Sequence, residues 1–367
     1  MPRYGGRKMK KSLKTFAVLA AALLASGGAF AKSKTGENKV KMEKLKLETK
    51  WDKTFALSEK VTHKKVTFTN HFGITLAADM YTPKTLPENG KFAAIAISGP
   101  FGAVKEQASG FYANKMAERG FLTIAFDPSF TGESGGQPRY MNSPDINTED
   151  FQGAVDFLSV QENVDPEKIG IIGICGWGGM ALNVAGVDTR IKATAVMTMY
   201  DMARVTNNGY FDAADNPEAR QAARVAMNKL RTECFAKGEY PTIGGLPEER
   251  PESPEFFSQY WDYYKTKRGY HSRSLNSNGG WAATASSSLM NTKLFAFAGE
   301  IQNAVLIVHG EKAHSRYMGE TAYSLLKGDN KELMIIPGAT HCDLYDGGSG
   351  NYIPWDKLQT FFETYLK

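Results

Sequence analysis

Cysteine is scarce in this chain of 367 residues, with only Cys175, Cys234 and Cys342 present. An odd count leaves at least one thiol outside any internal disulfide, which argues against a disulfide framework. None of the three stands at a spacing typical of a zinc site. Long apolar runs are also missing: nothing reaches the roughly 18 consecutive apolar residues that mark a membrane-spanning helix. Acidic residues are absent from the first 31 positions, and so are twin arginines. No cysteine follows the apolar run there, so lipid attachment is not signalled.

What the N-terminus does hold is informative. Arg3, Arg7, Lys8, Lys10, Lys11 and Lys14 precede a short apolar run, Phe16 to Leu24, and Ala29-Phe30-Ala31 follows it. Basic flank, short apolar centre and a small-x-small site together read as a secretory signal peptide cleaved after Ala31. The competing reading, a retained anchor, wants a longer apolar run. A periplasmic or secreted location is expected. Cleavage removes six basic and no acidic residues, taking the formal charge from +5 to −1. The basic balance therefore belongs to the leader, and nucleic-acid binding loses its bulk support. A small-molecule partner is expected instead, with no stable membrane insertion after cleavage and an oligomeric state the sequence does not specify.

Residues 32–60 are rich in Lys and Glu and read as a solvated leader or a loosely packed helix. From there to residue 367 one domain is expected. Val66–Thr69 and Leu76–Tyr81 flank His71-Phe72-Gly73 as a hairpin would. Ala93–Ser98, Thr123–Phe126, Ile169–Ile174, Thr194–Thr198, Val305–His309 and Leu333–Ile336 are almost wholly apolar, as strands of a parallel sheet buried on both faces are. Helical patterns lie between them at Gln107–Arg119, Thr148–Val160, Gly178–Ala185, Gly319–Leu326 and Trp355–Leu366. This alternation implies a doubly wound α/β sheet. Residues 202–294 break the rhythm with a run at Asn216–Lys229, Pro and Gly breaks, the aromatic Phe256–Tyr264 and a Ser/Asn/Gly tract. A long insertion between strands of a compact domain reads as a cap over an active site.

The decisive segment is Lys168-Ile169-Gly170-Ile171-Ile172-Gly173-Ile174-Cys175-Gly176-Trp177-Gly178-Gly179. An apolar strand ends, small residues crowd a turn and a helix follows, which is how a nucleophile elbow is built. Cys175 stands where serine is usual, with Gly173 two residues before it but Trp177 two after. A shifted register would put Trp177 at the tip and leave no nucleophile. In a blander alternative, Cys175 is a buried small hydrophobe. Ile97-Ser98-Gly99-Pro100-Phe101-Gly102 follows the third strand, where hydrolases with such an elbow carry an oxyanion-hole amide. Pro100 lacks an N–H, so Phe101 is the expected donor, with Gly176 as the second. His341 follows the last strand, and nucleophile before histidine is the chain order of this fold.

Five motifs are similar to those of bacterial dienelactone-hydrolase-like and X-Pro-dipeptidyl-peptidase-like α/β-hydrolases. They are Gly102-Ala103-Val104-Lys105-Glu106-Gln107, Asp127 to Gly135, Gly173-Ile174-Cys175, Gly310-Glu311-Lys312-Ala313-His314-Ser315 and His341-Cys342-Asp343-Leu344-Tyr345-Asp346. The resemblance runs from about Val66 to the C-terminus and is weakest through the cap. It implies a mostly parallel eight-stranded sheet with helices on both faces and a helical cap. It also implies a Cys/Ser-His-acid triad that hydrolyses esters, lactones or related acyl bonds without a cofactor or metal.

The pattern departs from that family at the acid. The usual aspartate position after Val305–His309 is Ala313, which leaves Glu311 as first candidate and Asp201, after Thr194–Thr198, as second. Asp343 and Asp346 are expected to shape the histidine's loop, and His314 to serve the loop or the surroundings of the site. Cys342 is expected to point into the core, with a disulfide to Cys175 as the alternative. Two functions stay open: a cysteine hydrolase, and a hydrolase-fold protein that binds a ligand without turnover. A serine nucleophile within Ser286-Ser287-Ser288 lacks the strand–turn–helix context.

Overall fold

Alternate residues of the central strands face opposite ways, and both faces are apolar. Ile95, Ile97, Ile172 and Ile174 belong to one buried cluster, and Ala94, Ala96, Ile169 and Ile171 to the other. Such strands can only sit in a sheet covered on both sides, and that is what forms. The computed structural model describes residues 40–366. The expected signal segment 1–31, and the leader as far as residue 39, lie outside the described residues.

The hairpin pairs β1 (Val61–Thr69) antiparallel with β2 (Thr75–Pro83), Thr69 facing Thr75. After it come β3 (Phe92–Ser98), α1 (Ala108–Ala117), β4 (Leu122–Phe126), α2 (Pro144–Ser159), β5 (Val164–Ile174), α3 (Gly176–Ala185) and β6 (Ile191–Met197). The chain re-enters the sheet with β9 (Ala304–Gly310), α7 (Arg316–Leu325), β10 (Lys331–Ile336), α8 (Asp343–Asp346) and α9 (Trp355–Tyr365). The eight strands run in the order β1-β2-β4-β3-β5-β6-β9-β10. Pairing is antiparallel at β1–β2 and β2–β4 and parallel from β4 onward. The C-terminal ends of β3, β5, β6 and β9 therefore open on one edge, where open α/β sheets bind ligands.

Helix α2 begins one turn earlier than its sequence pattern suggests. Ser143 caps it and Pro144 occupies its first turn, a position where the missing N–H of proline costs nothing. Asn147, within the first turns of the helix, accepts the Ser143 N–H through Oδ1 at 2.9 Å.

Between β6 and β9 lies the insertion: α4 (Met202–Asn208), α5 (Pro217–Lys237), β7 (Thr242–Gly244), α6 (Glu255–Tyr264) and β8 (Gly280–Ala282). The cap is not purely helical, because β7 and β8 pair antiparallel as a small separate ribbon. Among the described residues, no helix is long and apolar enough to cross a membrane.

The Lys/Glu-rich leader corrects the expectation of a free segment or loose helix. From Met42 on it is an irregular strap lying against the domain. Lys53 pairs with the buried Asp79 at 3.0 Å, Phe55 packs on Tyr81 and Phe111, and Thr54 N–H donates to Glu106 O at 3.0 Å. A helix would have turned these groups away from their partners.

Candidate active site

Cys175 stands between β5 and α3 with φ 57° and ψ −126°. A non-glycine residue in that left-handed region is strained by roughly 1–3 kcal/mol and persists only where its surroundings enforce it. They do so here. Cys175 N–H donates to Met197 O at 2.9 Å, while its carbonyl accepts from Gly178 and Tyr200, both at 2.9 Å. The small residues are required by close approach: a Cβ on Gly173 would lie 2.3 Å from Trp177 O, and one on Gly176 would lie 2.7 Å from Phe101 Cβ. Trp177 points the other way, buried against Phe126 and Phe151. The shifted register with tryptophan at the tip is thereby overturned.

Burial pushes the Cys175 thiol above its ordinary pKa. Hydrogen bonds from the Tyr345 hydroxyl, the Phe101 and Gly176 N–H groups and the Tyr260 hydroxyl hold it part of the way back. The two expected oxyanion amides thus converge on the sulfur, joined by two tyrosines that sequence reasoning left out. The oxyanion loop is clamped from the cap. Asn276 Nδ2 donates to Phe101 O at 2.8 Å, Ser274 Oγ donates to Gly102 O at 3.0 Å, and Phe101 stacks on Trp281 at 4.1 Å.

His341 is fully buried. Its Nε2 meets the Tyr345 hydroxyl at 2.9 Å, and that same hydroxyl favours the Cys175 thiolate. Nδ1 lies between two hydroxyls, Ser315 Oγ at 2.7 Å and Thr198 Oγ1 at 2.9 Å. Burial, reinforced by His314 and His309, drops the imidazole well below its usual pKa, so the ring is neutral.

Neither acid candidate reaches His341. Glu311 is exposed and accepts the Gly338 N–H at 2.8 Å. Asp201 caps α4, accepting Arg204 N–H at 2.9 Å. It borders a separate cavity of about 980 Å³ whose lining includes neither Cys175 nor His341. The turn after β9 does point at the imidazole, but five residues beyond Gly310 it delivers Ser315. The expected acid position is taken by a hydroxyl. Asp343 and Asp346 shape the loop as anticipated: Asp343 accepts from Thr340, and Asp346 pairs with Arg268 at 2.7 Å.

His314 is half-buried among aromatics, bonded to the Tyr200 hydroxyl and stacked on Phe256 at 4.1 Å. Tyr260 donates to Tyr200 at 3.1 Å. Hydrogen bonds therefore link His314, Tyr200 and Tyr260 on one side of Cys175 and Tyr345 with His341 on the other. All three cysteines are free and buried, so Cys175 and Cys342 are not bridged. Ser286 to Ser288 lie in a short 3₁₀ turn, Ala285–Leu289, far from any strand–helix elbow. Among the described residues no cluster of three or more His, Cys, Asp or Glu could hold a metal ion.

Behind the oxyanion loop lies a charged core. The Lys105 ammonium is fully buried and touches Glu133 at 2.6 Å, Glu106 at 2.7 Å and Asp127 at 2.9 Å. Burial works against that charge, but Asp127, Glu106, Asp79 and Glu133 outweigh it and hold its pKa well above the ordinary value. This ties the Gly102–Gln107 motif to the turn that follows Asp127.

Tyr345 was findable in the sequence: it follows His341 by four residues, one helical turn. Tyr260, Thr198, Ser315 and Asn276 carried no such signal. Each comes from a different element and meets the site only through the tertiary fold.

Known proteins resemble this chain in sequence and fold. The chain is 50% identical over 357 residues to uncharacterized protein PA2218 of Pseudomonas aeruginosa, covering 95% of this chain and 94% of that protein. The crystal structure of PA2218 superposes with a TM-score of 0.85 over 88% of this chain and 99% of that one. Uncharacterized protein YcjY of Escherichia coli is 35% identical over 307 residues, 82% of this chain and 99% of its own. The α/β hydrolase GrgF from Penicillium shares the fold at a TM-score of 0.65 and 19% identity, over 83% of this chain and 99% of its own. The family model described as X-Pro dipeptidyl-peptidase (S15 family) matches residues 73–343. The chain belongs to that family and is a hydrolase of the α/β-hydrolase fold.

Proposed function

We propose that this protein cleaves an ester, lactone or related acyl bond with Cys175 as nucleophile and His341 as base. The observation that carries the proposal is the elbow itself, a strained Cys175 whose sulfur is ringed by donors and linked through Tyr345 to a neutral imidazole. In the first step the thiol proton passes to the Tyr345 hydroxyl as that hydroxyl gives its own proton to His341 Nε2. The sulfur then bonds to the acyl carbon while the Phe101 and Gly176 N–H groups hold the developing oxyanion. The bond to the leaving group breaks, and that group takes the proton back along the same path. Water then adds to the acyl-thioester, the carbon–sulfur bond breaks, and the thiol and the free acid are restored.

The missing carboxylate suits this chemistry. A thiol ionises near 8.5 and needs less help from its base than a serine hydroxyl does. Thr198 and Ser315 supply the orientation that the third member of a triad otherwise gives. Export to the periplasm or beyond belongs to the same reading and rests on the basic leader and the Ala29-Phe30-Ala31 site.

The test is acyl-enzyme trapping with p-nitrophenyl acetate, read by peptide mass spectrometry. An acetyl group on Cys175, with product release abolished in Cys175→Ala, is expected. Full turnover by Cys175→Ala would end the proposal. The alternative, a binding protein without catalysis, is favoured by the absence of any carboxylate on His341. It predicts ligand stabilisation without product.

A further inference from the structure

The cavity at Cys175 is small and carries no formal charge. It encloses about 150 Å³, and Cys175 opens into it beside Phe101, Leu246, Tyr264, Asn276 and Tyr345. None of its lining residues is Asp, Glu, Lys, Arg or His. Its tyrosines are held in the neutral form: burial raises the hydroxyl pKa of Tyr200, Tyr260, Tyr264 and Tyr345 well above the ordinary value. The two nearest histidines, His314 and His341, are depressed by burial and neutral as well.

The only groups on offer to a ligand beyond apolar contact are uncharged donors and acceptors. The Tyr264 hydroxyl is one of them. It is buried with no hydrogen-bond partner in good geometry, the Asn276 side chain being its close polar neighbour. Such a hydroxyl is left to pair with a neutral oxygen or N–H of the substrate.

From these features we infer that the site takes an uncharged acyl group and rejects acyl groups bearing a free amine. This rests on the reading of Cys175 as the acylated residue. It also separates this chain from the activity in its family's name. A dipeptidyl peptidase must receive a substrate N-terminus, which is an ammonium, and a buried ammonium needs a carboxylate partner. No carboxylate lines this cavity. The cap segment that brings Tyr264 and Asn276 is where that selectivity is built.

The test has a kinetic arm and a binding arm, both in mildly acid buffer where an α-amine is charged. In the first, p-nitrophenyl esters of acetic and phenylacetic acid are compared with glycine p-nitrophenyl ester and Ala-Pro-p-nitroanilide. The neutral esters should exceed both amine substrates in kcat/KM by about 100-fold or more. Comparable or better turnover of either amine substrate overturns the inference. In the second arm, phenylacetamide and its 2-amino derivative are titrated against Cys175→Ala by calorimetry. Binding of the neutral amide alone supports the inference, whereas binding of the amine, or of neither, overturns it. If no ester is turned over but the neutral amide still binds, the catalytic reading fails and the selectivity of the cavity stands.

Discussion

Replacing Tyr345 by phenylalanine removes one oxygen atom and keeps the ring that packs on Tyr263 and Tyr264. That oxygen has two neighbours, His341 Nε2 at 2.9 Å and the Cys175 sulfur. Its hydrogen bond favours the thiolate, so losing it moves the thiol pKa further up and leaves less thiolate at neutral pH. A hydrogen bond to a charged group contributes about 1.5–3 kcal/mol, which is about 10- to 150-fold in thiolate population at fixed pH. The assay is the rate of iodoacetamide alkylation of Cys175 against pH, with Cys175→Ala subtracted as the blank for Cys234 and Cys342. Tyr345→Phe should react about 10- to 150-fold more slowly around neutrality and regain the wild-type rate only at alkaline pH. His341→Ala should slow the reaction in the same direction. A Tyr345→Phe protein that alkylates at the wild-type rate would show that the hydroxyl does not govern the thiol, and the relay to His341 would have to be abandoned.

Glu311→Gln and Asp201→Asn should leave Cys175 alkylation and ester turnover within about twofold of wild type, since the two carboxylates serve a turn and a helix cap; Ser315→Ala, which removes an imidazole partner, should lower turnover by about fivefold, the worth of about 1 kcal/mol in a neutral hydrogen bond. Lys105→Met should leave Asp127 and Glu106 short of a cation and cost about 3–5 kcal/mol. In a protein of this size that is a fall in Tm of roughly 5–8 °C by scanning calorimetry, and an unchanged Tm would contradict the charged-core reading. Burial holds His309 and His314 neutral down to about 3, whereas in the unfolded chain a histidine takes up a proton below about 6.5. Their contribution is therefore fully present above about pH 6.5 and is lost on acidification, by about 2 kcal/mol each at pH 5. Urea midpoints measured between these pH values should show that fall, and His309→Leu should flatten it.

The fold was largely legible because its signals are local. A strand buried on both faces shows as an uninterrupted apolar run, and all eight sheet strands overlap such runs or the hairpin's flanks at the positions the sequence suggested. The elbow was legible for a related reason: Gly173 and Gly176 are forced by contacts within a few residues of Cys175. The imidazole partners were not. Ser315 and Thr198 come from the ends of β9 and β6, and nothing in either neighbourhood marks a serine or threonine as a partner of a histidine in a third segment. Expecting a carboxylate led instead to Glu311 and Asp201, whose backbone hydrogen bonds satisfy them elsewhere. Tyr260 sits in an aromatic stretch whose periodicity fits packing equally well, and there tertiary placement alone separates packing from chemistry.

Two buried polar systems flank the oxyanion loop, and they are built on opposite rules. Behind the loop, the Lys105 ammonium lies within 3 Å of each of its three carboxylates. In front of it, five tyrosines, two neutral histidines and a thiol gather with no formal charge among them. The first arrangement resists movement, because shifting any member leaves a buried charge uncompensated. It therefore suits a scaffold that must hold the Phe101 N–H in place. The second keeps every group neutral at rest, so in the proposed reaction the thiolate and the oxyanion would be the first charges to arise in the cavity. In low-dielectric surroundings the fixed N–H and hydroxyl donors around Cys175 act on those charges more strongly than water would. A carboxylate on His341 would have placed a permanent negative charge beside the developing oxyanion. Thr198 and Ser315 hold the ring without it.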